Sequence, residues 1–172
     1  MTIAAAHQGL TLSVGARTLH VPGFACAAGD RLLLVPEARE ETADVAASLG
    51  RTLTGLQPPQ QGQLALFGQA VSGMAYLDTL KMRARIGLVQ GRGGLLANRS
   101  VRDNIALPLS VHGGLSHDDE AARIASLVAD LDLTAVQHLR PHVLDDDARF
   151  RACAARAGVG TAMAGRRGYR RL

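Results

Sequence analysis

Gly29-Asp30-Arg31-Leu32-Leu33-Leu34-Val35 is followed by Pro36-Glu37-Ala38-Arg39-Glu40-Glu41-Thr42. The first seven residues read as a turn and then an apolar run of the length and composition of a buried β-strand. A buried strand that leads into a helix is where a phosphate-cradling loop, G-x-x-x-x-G-K-S/T, is expected, because its glycines let backbone N–H groups converge and its lysine reaches the outer phosphates. No glycine occurs between Pro36 and Leu49, and Lys81 is the only lysine in the chain. Three glutamates, Glu37, Glu40 and Glu41, stand in that loop instead. The frame of a phosphate site is present without its chemistry.

On either side of this stretch the hydrophobic pattern changes period. Upstream, Leu10-Thr11-Leu12-Ser13-Val14 alternates, Gly15 to Thr18 turn the chain, and Leu19-His20-Val21 continues as a second short strand, with Phe24 and Cys26 alternating inward after it. Downstream, Val45, Leu49, Leu53 and Leu56 recur at helical spacing from Glu40 until Pro58-Pro59 stops the helix, and Thr42 to Asp44 supply capping chemistry. Gln63 to Gly68 and Ile86 to Gln90 are expected as short strands. A helix opens at Ser100-Val101-Arg102-Asp103-Asn104 and is interrupted or ended at Pro108. Ser116, with Glu120 as reciprocal partner, starts another that carries Ile124, Leu127, Val128 and Leu131 on one face. The carboxylates of Asp145-Asp146-Asp147 suit the start of a last helix running to about Ala157.

The chain has 172 residues, 47% of them hydrophobic, enough for one domain with a sizeable core. Aromatic residues make up 3%, so Ala, Val and Leu must carry the packing. The net charge of +4 resides in the four arginines of Arg166-Arg167-Gly168-Tyr169-Arg170-Arg171; without them basic and acidic residues balance at 15 each. That tail reads as a solvated end, and no recognition motif accompanies the charge, so no nucleic-acid partner is expected. Cys26 and Cys153 read as small side chains in a reducing compartment, and neither a secretory leader nor an apolar run long enough to span a bilayer is visible. His138 and His142 lie four apart, but Pro141 between them argues for a loop, so no metal site is expected.

Several segments in register resemble the nucleotide-binding domain of ABC transporters. Leu53-Thr54-Gly55-Leu56-Gln57-Pro58-Pro59-Gln60-Gln61-Gly62 through Gly68 resembles that family's L-x-G-L-x-x-P-x-x-G segment and the strand after it. Arg85 to Gln90 is similar to the strand that delivers the Q-loop glutamine, and Leu95 to Leu109 to the L-F-x-x-x-T-V-x-x-N-h-x-x-P-L segment behind it. Arg140 to Leu144 resembles the approach to the signature motif, and Ala154-Ala155-Arg156-Ala157 the helix after it. Within the family the likeness is read as greatest to ATPase subunits of Mla/Mce-type phospholipid transporters.

The resemblance implies an α/β fold: an ABC-ATPase-like, P-loop-NTPase-related core with an N-terminal antiparallel β portion and a mostly helical C-terminal half, truncated before the Walker B strand. One such domain is expected over 1–157 (1–68 β-rich, 69–157 Q-loop and helical subdomain), followed by a basic tail over 158–172. Nucleotide-facing candidates are Arg39, Thr42 and Gln90. The signature position is filled by Leu144, Asp145, Asp146, Asp147 and Ala148, whose carboxylates would repel a phosphate where the family places L-S-G-G-Q. No run of aliphatics ending in Asp-Glu follows Ala157, so no catalytic residue and no bound ATP or Mg²⁺, the family's cofactors, is expected. The region that receives the membrane permease in the family carries Gln90, Arg99, Arg102, Asn104, Pro108 and Leu109. The expectation is a degenerate ATPase subunit in lipid or other solute transport. It would be cytoplasmic, held at the inner face of the membrane through its permease and able to pair with itself or another ABC subunit. The alternatives are a truncated or frameshifted remnant of an active ATPase, or a chain that still binds ATP through Arg39.

Overall fold

A computed structural model describes residues 2–6, 8–33, 42–89, 94–112 and 115–160. The chain divides into two compact units, Met1–Arg83 and Ala84–Leu172.

The first unit is built on antiparallel pairs. Strands β1 (Thr2–Ala6), β4 (Phe24–Ala27), β5 (Ala65–Leu66) and β6 (Gln69–Ala70) form a sheet in the order β4-β1-β5-β6, while β2 (Leu10–Val14) and β3 (Arg17–Val21) form a separate hairpin in register from Leu10↔Val21 to Val14↔Arg17. Alternation decides which side is buried: Leu10, Leu12 and Val14 face inward, and Thr11 and Ser13 remain partly exposed. The β5–β6 hairpin turns through Phe67 and Gly68, both at positive φ (52° and 82°), as a two-residue turn of matching twist requires.

Helix α1 (Thr42–Leu53) packs on β2. The expected stripe of Val45, Leu49 and Leu53 is only half-buried, and Leu56 lies exposed beyond the helix end. The residues that disappear from solvent are Ser48 and Thr52, and the Ser48 hydroxyl donates to the Ser13 carbonyl at 2.8 Å. Small polar side chains let the helix approach a strand more closely than leucines would. Helix α2 (Tyr76–Arg83), which the sequence pattern did not announce, is tied back by Arg83 to the carbonyls of Thr54 and Gly55.

Two expected strands do not occur among the described residues. Arg31 to Leu33 pair with no strand among the described residues and lie exposed, Leu33 at 83%, while 34–41 fall outside the described residues. Residues 86–89 are likewise in no strand. A strand this apolar needs a parallel sheet that covers both its faces, and every strand pair among the described residues is antiparallel.

The second unit is helical: α3 (Val101–His112), α4 (His117–Asp130) and α5 (Asp146–Gly160), with a short 3₁₀ turn at Pro141–Val143. Val101, Ile105 and Leu109 of α3 meet Ala148, Ala152, Ala155 and Val159 of α5, and Ile124, Leu127 and Val128 of α4 close the core. The alanines permit close approach of α3 and α5, so Pro108 lies inside α3 without ending it. At the start of α4 the Ser116 hydroxyl oxygen accepts from the Asp119 N–H and donates to its carboxylate, so Asp119 at the third helical position, and not Glu120, is the reciprocal cap.

One polar side chain is enclosed in this core. Asn104 is fully buried, and its Oδ1 accepts from the Leu96 N–H at 2.7 Å. Its Nδ2 donates to the carbonyls of Leu96 (3.1 Å), Arg99 (3.3 Å) and Ser100 (2.9 Å). The amide thus takes the place of a regular element for the turn before α3.

Two stability changes are expected. In the first unit, Gly62 has φ +87° and its absent Cβ would fall 2.2 Å from the Gly9 carbonyl oxygen, in the loop that pairs with Thr11. Gly62→Ala should therefore cost roughly 2 kcal/mol or more and lower the thermal midpoint by about 4–8 °C. In the second, Asn104→Ala leaves the Leu96 N–H and C=O without their partner, and a loss of about 3 kcal/mol should appear in denaturant unfolding.

Candidate functional site

The nucleotide-facing candidates do not form a described site. Arg39 and Gln90 lie outside the described residues, and Thr42 is placed only as the first residue of α1. Leu32 and Leu33, the last residues described before that segment, are exposed and in no strand.

The signature position is fully described. Leu144 and Ala148 are core residues, which fixes the intervening three aspartates at the start of α5. Asp145 Oδ1 accepts from the Ala148 N–H at 2.7 Å, so a side-chain carboxylate engages a backbone donor that an incoming anion would need. Asp146 pairs with Arg149 at 3.0 Å, and Arg151 spans Asp147 (3.5 Å) and Asp132 (3.1 Å). Arg149 also donates to the Leu144 carbonyl at 2.8 Å, clamping the loop to the helix. These exposed pairs add little stability individually. Their effect is to set guanidinium groups against Asp146 and Asp147, while Asp145 caps the helix. Arg149 and Arg151 were missed as members of the cluster, although the spacings Asp146–Arg149 and Asp147–Arg151 signalled them.

This helix end holds a carboxylate on one of its own N–H groups. Among the described residues no group of three or more His, Cys, Asp or Glu side chains could hold a metal ion. A shallow hollow of about 430 Å³ is lined by Gln8, Thr11, His20, Gln61 and neighbouring glycines. It contains one polar side-chain pair, Thr11 Oγ1 to His20 Nδ1 at 3.3 Å, and no converging charges. Cys26 and Cys153 are not joined in a disulfide; burial pushes the Cys153 thiol upward, which suits a core side chain and not a nucleophile.

The remaining candidates lie along α3 and the turn before it. Ser100 Oγ accepts from the Asp103 N–H at 3.1 Å and donates to the Asp103 carboxylate at 2.7 Å, a reciprocal cap. That hydroxyl holds the Asp103 carboxyl below its ordinary range, assisted by the charges of Arg99 and Arg102. The next two helix N–H groups are sealed by a neighbouring loop: Val101 donates to the Leu139 carbonyl at 2.9 Å and Arg102 to that of Gln137 at 2.8 Å. Arg99 is exposed, and Arg102 and Pro108 are partly so. Asn104 and Leu109 point inward, so they can shape a docking surface but offer no side chain to a partner.

No protein-family model matches the chain. It is 36% identical over 94 residues to the methionine import ATP-binding protein MetN of Bordetella pertussis, covering 55% of this chain and 25% of that protein. It is 30% identical over 111 residues to MetN 2 of Pseudomonas aeruginosa, covering 64% and 33%. MetN 1 of Rhodococcus jostii is 32% identical over 110 residues, covering 64% and 32%. The chain thus spans between a quarter and a third of the length of these relatives. They are named for methionine import, so the expected likeness to phospholipid-transport subunits has no support from them. Among solved structures, the dimeric bacterial ABC transporter cassette MJ0796 aligns with a TM-score of 0.68 at 16% identity, over 92% of this chain and 69% of that one. CbiO1 of Clostridium perfringens, part of the transporter complex CbiONQ, aligns at 0.64 and 16%, over 92% and 62%. The architecture, with its N-terminal antiparallel β portion and helical second half, is that of an ABC ATPase cassette, and the sequence likeness is to ABC transporter ATP-binding proteins.

Proposed function

We propose that this chain is an ABC-cassette subunit that docks on a membrane permease and does not itself hydrolyse ATP. The observation that carries this reading is the occupation of the α5 start by Asp145, whose carboxylate accepts from the Ala148 N–H at 2.7 Å. Phosphoryl transfer depends on backbone donors, a lysine and Mg²⁺ that stabilise the moving charge. Here a signature-position donor faces an internal carboxylate, and the loop at 36–42 contains neither glycine nor lysine. The α3 start, in contrast, is fully capped and braced by Asn104, which favours retention of a binding surface.

The cargo of the assembly would follow its permease. The relatives' names favour methionine or a similar small solute over a phospholipid. The dimeric state of the MJ0796 cassette favours pairing with a second cassette, from this or another chain. The protein would then lie at the cytoplasmic face of the membrane through its partners, with Arg99 and Arg102 in contact and Asn104, Pro108 and Leu109 shaping the surface beneath them.

Two measurements test this reading. A ligand at 100 times its dissociation constant stabilises the native state by about 2.7 kcal/mol, several degrees for a domain of this size. Millimolar Mg-ATP should leave the thermal midpoint of the purified chain unmoved and yield no inorganic phosphate; ATP-dependent phosphate release would sink the non-hydrolytic reading, and an upward shift of several degrees without it would show retained binding and return attention to Arg39. For docking, the tagged chain should co-purify from its host's membranes with a permease, and Arg99→Glu with Arg102→Glu should reduce recovery about tenfold or more. Unchanged recovery would remove this surface from the interface.

A further inference from the structure

We infer that the outer edge of β3 pairs antiparallel with the same edge of a second copy of this chain, about a two-fold axis at Leu19. This goes beyond the docking reading above and does not depend on it.

Backbone direction identifies the edge. The Thr11 N–H donates to the Gln61 carbonyl at 3.0 Å, so the backbone groups of Thr11 turn away from β3. Opposite residues in an antiparallel pair either exchange hydrogen bonds or both turn outward, and the two kinds alternate. His20 lies opposite Thr11 and Thr18 opposite Ser13, so the N–H and C=O groups of His20 and Thr18 point outward from β3. Both residues are exposed, and among the described residues β3 pairs with no strand but β2.

The other edges are occupied, guarded or short. Gln60 and Gln61 bond to the outer edge of β2. On β4 the Ala27 N–H donates to the Asp30 carboxylate at 2.7 Å, and the register with β1 shifts between Thr2 and Ala4. Strand β6 has two residues. Bulges, prolines and charges are the usual guards of an edge. Strand β3 keeps an unbroken register over five residues, with no proline inside it and its arginine at the first position.

Length and charge select a copy of the same strand. Pairing about Leu19 sets Thr18 opposite the second copy's His20, and His20 opposite its Thr18, so every outward group finds a partner. The edge extends no further, because Pro22 has no N–H and Gly15–Ala16 form the turn. Pairing about His20 would set Thr18 against Pro22 and the two imidazoles against each other. Pairing about Thr18 would bring the two Arg17 positions within about 8 Å, diagonally across the axis. About Leu19, each Arg17 faces Val21, and the two lie roughly 14 Å apart, beyond the screening length of about 8–10 Å. The half-buried Leu19 side chains then meet across the axis as a close, non-hydrogen-bonded pair.

The test uses the full chain in sedimentation velocity over rising concentration, which should show monomer passing to dimer with no larger species, as a closed two-fold contact requires. Leu19→Lys sets like charges across the axis and should raise the dimer dissociation constant about tenfold or more, with the far-UV spectrum as the check on folding. In a chain carrying Cys26→Ala and Cys153→Ala, Leu19→Cys should form an intermolecular disulfide under mild oxidation, since its Cα lies about 4.5 Å from its counterpart. Thr18→Cys in the same background, more than about 7 Å from its own counterpart, should not. A chain that stays monomeric at every concentration would overturn the inference. So would a dimer that Leu19→Lys leaves intact, which pairs through another surface, or cross-linking of Thr18→Cys in preference to Leu19→Cys.

Discussion

The helical unit depends on a single enclosed amide. A buried Asn side chain is costly unless its donors and acceptor are met, and Asn104 meets them entirely with backbone of the Leu96–Ser100 turn. Apart from the Arg99 N–H bond to the Leu96 carbonyl, that turn has no strand or helix pairing among the described residues, so the entry of the chain into α3 leans on this amide. Since α3 packs on α5 along a row of alanines, the same amide also fixes where the α5 start is presented. A leucine of similar volume would pack there but would leave the turn's own groups without partners.

The first unit is governed by a different constraint. An apolar run buried on both faces is stable only with strands beside it and cover above and below. Leu32 and Leu33 have neither among the described residues, and they remain in water at the end of β4. The antiparallel portion holds without them because its pairs are local: β2 with β3, β5 with β6, and β1 between β4 and β5. Apolar composition announced a strand there; composition cannot supply the neighbours that a strand needs.

Wherever the deciding contacts are local, the sequence was readable. Alternation over Leu10–Val14 and the Ser116 cap gave elements close to those observed, because each is decided within a few residues. Asp145–Asp147 read correctly as a helix start for the same reason. Pro108 misled, since its missing N–H is outweighed by packing on a distant helix. On α1 the leucines drew attention away from Ser48 and Thr52, whose burial depends on the β2 backbone opposite. The candidate site divides likewise. The three aspartates were visible, but that Asn104 turns inward while Arg99 faces solvent emerges only once α3 is packed on α5.

Asp145 has one consequence that concerns response more than affinity. A helix end that waits for an external anion reports, through its own order, whether that anion is present. A ligand moves a conformational balance only by contacting one state better than the other. With a carboxylate of its own on the Ala148 N–H, the α5 start completes its cap without an external anion. On the docking reading proposed above, such a subunit would be the constant half of a two-cassette assembly, a fixed strut against which a responsive neighbour moves.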